Sequence, residues 1–197
     1  MSKSGVLSTR VLLVCAAIAV ATGVLGGIEG WLTIPVLAAA PFLYGFLLGV
    51  HTLPGIVAQE LFRMPWVALV THVLAGLVGA AIAPVWAPQF LGTALLFGGI
   101  QEGVAAVFRY RAWSWWRYLV SALLIGALVA FVVAMAADLG ELPAWAQAAY
   151  LALSLLGPVA WTLLGLWIGR GLERAGITPG RGRERGRRAE RHPAPRA

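Results

Sequence analysis

Apolar residues fall in six long runs, about 11–28, 32–60, 65–84, 89–108, 117–137 and 145–169, and most polar residues lie between them. Runs of roughly 18 or more apolar residues are the length of a membrane-crossing helix. The gaps carry helix-breaking residues: Gly26-Gly27-Ile28-Glu29-Gly30, Arg63-Met64-Pro65, Pro84-Val85-Trp86-Ala87-Pro88, and the segment from Asp138 to Pro143. The pattern predicts an all-α, polytopic membrane protein, a bundle of six transmembrane helices.

The second run is too long for one straight crossing. At 1.5 Å per residue it would measure about 43 Å against a hydrocarbon core of about 30 Å. It also holds Pro41 and Pro54-Gly55, each able to interrupt a helix. A tilted and broken element is expected, or a short hairpin-like piece followed by a crossing. Broken helices are tolerated at membrane depth where protein surrounds them or where they line a cavity.

Charge orients the bundle. Lys3 and Arg10 precede the first run, Arg63 follows the second, Arg109, Arg111 and Arg117 follow the fourth, and Arg170, Arg174 and an Arg-rich tail follow the sixth. The alternate gaps hold Glu29, Asp138 and Glu141, with no Lys or Arg. By the positive-inside rule both termini are cytoplasmic. The expected layout is a cytoplasmic N-terminus over 1–10, a six-helix domain over 11–170 and a basic disordered cytoplasmic tail over 171–197.

Composition agrees. The 197 residues are 60% hydrophobic and 12% charged, with a mean hydropathy of +0.82. A soluble fold so composed would expose large apolar patches. The expected location is a membrane, crossed several times. The start of the chain imitates a signal peptide, but its apolar run continues to Ile28, which favours a retained helix. The lone Cys15 rules out an internal disulfide. The tail's positive charge reads as the positive-inside rule and contact with anionic lipid, not nucleic-acid binding.

No catalytic signature, phosphate-binding loop or metal-ligand spacing is present, so neither an enzyme nor a resident metal or cofactor is expected. What remains is a set of polar residues inside the runs: His51, Gln59, Glu60, His72, Gln101 and Glu102. Ionisable groups at membrane depth are costly and kept where they act or are paired. Glu102 shares a helix face with Gly98, Gly99, Ala105 and Ala106, and His72 with Ala68, Ala75, Gly76 and Gly79. Each lies roughly 5 Å to the cytoplasmic side of its helix centre, so the two could meet. They form either a site for a small polar or cationic ligand or a buried pair holding helices together. Glu60 precedes Arg63 by three residues, which an ion pair explains.

Most Trp residues read as an interfacial belt. Trp31 is singled out because Glu29 lies beside it in the expected first outer loop, where indole and carboxylate could cap a cationic aromatic ligand. In the first run Ala17 and Ala21 lie four apart, as do Ala19 and Gly23. Such spacing lets another helix approach closely, within the bundle or from a partner subunit.

The segment Gly98-Gly-Ile-Gln-Glu-Gly-Val-Ala-Ala-Val-Phe-Arg-Tyr-Arg-Ala-Trp113 resembles the YkoE family of substrate-binding S components of energy-coupling-factor ABC transporters. The match covers roughly residues 40 to 125. Glu102 falls on that family's glutamate, Phe97 replaces its preceding Gln, and Gln101 stands where Ala is usual. Arg63-Met-Pro-Trp66 resembles its Arg-Lys-Pro-Gly segment, and His72 stands where an acid is usual. The resemblance implies a substrate-binding subunit for thiamin or hydroxymethylpyrimidine, with Glu102 and His72 at its ligand positions; together with the residues singled out above, the candidate site residues are Glu102, His72, Trp31, Glu29, Gln101 and His51. It also implies a transmembrane T component and ABC-type ATPase subunits as partners, with Ala17 and Ala21 at the T-component interface. An S component for another vitamin and a structural or assembly membrane protein stand as alternatives.

Overall fold

The computed structural model describes residues 7–136 and 139–177, and among them every regular element is helical. Seven α-helices follow one another: α1 Thr9–Ala39, α2 Tyr44–Leu48, α3 Leu53–Phe62, α4 Val67–Ile82, α5 Ala87–Val107, α6 Trp115–Ala136 and α7 Ala144–Arg174. Short 3-10 turns lie at Pro41–Leu43, Gly49–Thr52, Pro84–Trp86 and Leu139–Glu141. Lys3, Asp138 and the tail from 178 onward lie outside the described residues. Five helical stretches are long and apolar enough to cross a membrane, and α4, at 16 residues, is apolar but shorter.

The first two expected boundaries are corrected. Gly26–Gly30 is not a break, because α1 runs unbroken through it. Its glycines are contact points. A Cβ on Gly23 would lie 2.7 Å from the Ala75 carbonyl, one on Gly27 2.7 Å from Ile82 Cβ, and one on Gly30 2.7 Å from Phe90 Cζ. Small residues let α1 approach α4 and α5 at backbone distance. Ser8 caps the start of α1 by accepting from Val11 N–H.

The excess length of the second run therefore belongs to α1. The second pass is Pro41–Phe62, broken as expected into a 3-10 turn, α2, another 3-10 turn and α3. Side chains satisfy carbonyls along this irregular path. Trp161 Nε1 donates to the Phe46 carbonyl at 2.9 Å, and Gln101 Nε2 donates to that of Thr52 at 3.1 Å. Such satisfaction is what irregular backbone inside a membrane protein requires.

Helix α1 packs mainly on α4, α4 on α5, α6 on α7, and α7 covers α2 and α3. At the end where the arginines gather, Glu60 accepts from Arg63 at 3.4 Å, as its spacing predicts, and also from Arg170 at 3.3 Å. Helix α7 continues to Arg174, so the expected tail begins in helix at 171 rather than as irregular chain.

Candidate functional site

The expected pair of Glu102 and His72 does not form. Glu102 Oε1 accepts from the Ala68 backbone N–H at 2.8 Å, and its Oε2 accepts from the Tyr110 hydroxyl at 3.2 Å. Ala68 belongs to the first turn of α4, whose preceding residue, Trp66, provides no side-chain cap. Glu102 thus supplies from α5 the cap that α4 lacks, with its negative charge at the positive end of the helix dipole. Burial and then the neighbouring Glu102 carboxylate raise the Tyr110 phenol above its usual 10.0.

His72 pairs with the residue beside Glu102. Its Nε2 lies 3.0 Å from Gln101 Oε1. Gln101 and Glu102 point from α5 in different directions, which is why only one of them reaches His72.

Gln59 extends the Gln101 network. Its amide donates to the Gln101 backbone carbonyl at 3.3 Å, while its oxygen accepts from Arg117 at 3.2 Å. Arg117 is buried, with its guanidinium 4.6 Å from the Trp113 ring centre and 4.2 Å from that of Tyr118.

The carboxylate that faces a cavity is Glu29. Inside α1 rather than in a loop, it is turned inward and buried, while Trp31 faces out at 62% exposure. Two positions apart on a helix point to nearly opposite sides, so Glu29 and Trp31 do not share a ligand surface. Trp31 instead donates from Nε1 to the Ile82 carbonyl at 3.2 Å.

Glu29 Oε2 meets His51 Nε2 at 3.0 Å, and Thr33 donates to Glu29 Oε1 at 3.1 Å. His51 stands in the 3-10 turn Gly49–Thr52, where the second pass is broken, so the break places the imidazole against α1. The fit depends on Gly26, where a Cβ would lie 2.9 Å from His51 Cε1.

This pair borders two small adjoining cavities, an outer and an inner lobe, each with room for about one water molecule. The outer lobe is lined by Glu29, Thr33, Trp86 and Gln89. The inner lobe is lined by His72, Thr22 and small residues of α1 and α4. His51, Phe90 and Thr93 border both. The Phe90 ring centre is 5.7 Å from that of His51, and Gln89 donates to the Tyr44 hydroxyl at 3.2 Å.

Four of the six expected ligand-site residues are thus placed around these lobes or one bond from them: Glu29, His51, His72 and Gln101. Glu102 and Trp31 face elsewhere. Thr33, Trp86, Gln89 and Phe90 were not anticipated. Gln89, an amide just inside an apolar run, was the available signal.

Residues 10–128, more than half of the sequence, match the family described as the permease component of ABC-type cobalt transport systems. The chain belongs to this family. A solved structure described as an S-component of an ECF transporter superposes on this ABC-type permease component with a TM-score of 0.79. The two share 16% identity, over 94% of this chain and 96% of the other. The permease component therefore has the S-component fold. Among curated proteins no relative matches the chain. Family and fold are those of a multi-pass membrane transport component rather than of an enzyme.

Proposed function

We propose that this protein is the substrate-binding S component of an energy-coupling-factor importer in the bacterial plasma membrane, and that its substrate is thiamin or hydroxymethylpyrimidine. The observation that carries this reading is the Glu29–His51 pair, a buried carboxylate and imidazole packed beside the Phe90 ring at the edge of a cavity. Convergent polar groups beside aromatic side chains are the usual polar lining of a small-molecule site, and the two one-water lobes would have to open to admit a ring. Glu29 would attract a cationic ring or accept from an amino group, and Phe90 and Trp86 line the same lobe. A purely structural role accounts for Glu102, Gln59 and Arg117. It does not account for a buried carboxylate–imidazole pair that borders a cavity.

The charge pattern supports six passes with both termini cytoplasmic, which puts the outer lobe towards the exterior. Ala17 and Ala21 are exposed on the side of α1 opposite its glycine face, as a helix–helix contact with a T component would require. ATP hydrolysis would then reside in the partner ATPase subunits.

The family description favours a second reading, with cobalt as the cargo. Its donor set is thin here: among the described residues no three His, Cys, Asp or Glu side chains are grouped to hold a metal, and the cavity offers one carboxylate and the two imidazoles. Calorimetry of the purified protein with thiamin, hydroxymethylpyrimidine and Co²⁺ separates the readings. Heat of binding from the pyrimidine compounds alone supports the first. Binding of Co²⁺ alone establishes the second, and binding of none leaves an S component for another vitamin or the structural role.

A further inference from the structure

His72 in the inner lobe uses its two ring nitrogens unequally. Gln101 Nε2 donates to the Thr52 carbonyl, which can only accept. That fixes the Gln101 amide with its oxygen towards His72, 3.0 Å from Nε2. An amide oxygen also only accepts, so the proton lies on His72 Nε2. Gly55 holds this arrangement tightly, since a Cβ there would lie 2.7 Å from Nε2 and collide with Gln101 Oε1.

His72 is 2% exposed, and among the described residues no carboxylate bonds to it. A buried imidazolium without an acid partner is costly, so the ring is neutral and Nδ1 carries a lone pair. Among the described residues no group donates to Nδ1, and the residue lines the inner lobe. The Thr22 hydroxyl beside the same lobe already donates to the Ile18 carbonyl at 2.8 Å, leaving it an acceptor. The inner lobe therefore presents two acceptors, His72 Nδ1 and the Thr22 hydroxyl oxygen, among small residues.

We infer that His72 Nδ1 accepts a hydrogen bond from the substrate and selects a heterocycle bearing an exocyclic amine over an isosteric ring without one. This rests on the proposed function, since it concerns the same lobes. His51 borders both lobes, so a ring whose amine reaches the inner lobe lies against its imidazole. A site built to bond a substrate N–H rejects the analogue that lacks it, because its own buried acceptor is then unpaired. Gln101 acts as a positioning residue that holds the tautomer.

The test compares two ligands, 4-amino-5-hydroxymethyl-2-methylpyrimidine and the ring in which methyl replaces the amine. Calorimetry or Trp fluorescence of the intact protein in detergent gives both affinities. The wild type is expected to favour the amine by about tenfold or more. His72→Asn, whose amide oxygen takes the place of Nδ1, keeps the preference. His72→Gln keeps the bond to Gln101, melts like the wild type and loses the preference. A wild type that binds both rings equally, or a His72→Gln variant that still discriminates, overturns this inference and leaves the proposed function standing. Failure of the wild type to bind either ring or thiamin overturns both.

Discussion

Glu29 and His51, 22 residues apart on α1 and on the broken second pass, meet at 3.0 Å at the edge of a cavity. Each depends on an irregularity for its place. His51 needs the 3-10 turn Gly49–Thr52, and the contact with α1 needs the absent side chain at Gly26. Gly26→Val should therefore push the imidazole off Glu29. Ligand affinity should fall at least tenfold, and stability by about 1–3 kcal/mol through overpacking. Calorimetry and thermal melts of the variant in detergent measure the two effects.

Glu102 has a different task. Its oxygens serve the first turn of α4 and the Tyr110 hydroxyl, so Glu102→Ala should cost about 1–3 kcal/mol of stability. Ligand affinity should stay within about twofold of wild type, because Glu102 lines neither lobe. A melt and a binding isotherm on the same sample decide this. A large affinity loss with unchanged melting would place Glu102 in the site after all.

The same contact sets an alkaline limit. The Tyr110 phenol has a raised pKa, through burial first and then the Glu102 carboxylate, from its usual 10.0. A group whose pKa is higher folded than unfolded contributes stability that is fully present below the unfolded pKa. That stability is lost as pH rises through the folded one. Melting temperature should fall above pH 10 in the wild type, and this component of the fall should be absent in Tyr110→Phe. Identical alkaline profiles would remove the hydrogen bond from the account.

Most of the bundle was legible in the apolar runs and their proline-bearing gaps, because crossing helices need length and apolarity and little else. The end of α1 was not. Gly26-Gly27 and Gly30 look alike in sequence whether they turn the chain or let helices touch. Their spacing with Gly23 does distinguish the cases, since 23, 27 and 30 fall on one helical face, as the contacts with Val78, Ile82 and Phe90 show. The partner of Glu102 was unreadable for another reason: it is a backbone N–H 34 residues earlier, exposed as a donor only because α4 begins there. Glu60 and Arg63, three apart on one helix, were readable because local spacing alone brings them together.

Ala17 and Ala21 make a prediction about assembly. Both are exposed on α1, so Ala17→Trp adds bulk without entering the core. Co-purification with the T component and ATPases should be lost while ligand affinity is unchanged. Normal assembly of this variant would move the partner surface elsewhere.

The most direct measurement is the affinity of wild type and Glu29→Gln for thiamin and hydroxymethylpyrimidine, by calorimetry on detergent-purified protein. The amide keeps the shape of Glu29 and removes its charge. The account predicts that the wild type binds at least one of the two, and that Glu29→Gln weakens it at least tenfold while remaining folded. Equal affinity in wild type and Glu29→Gln, or no binding by the wild type, would contradict it.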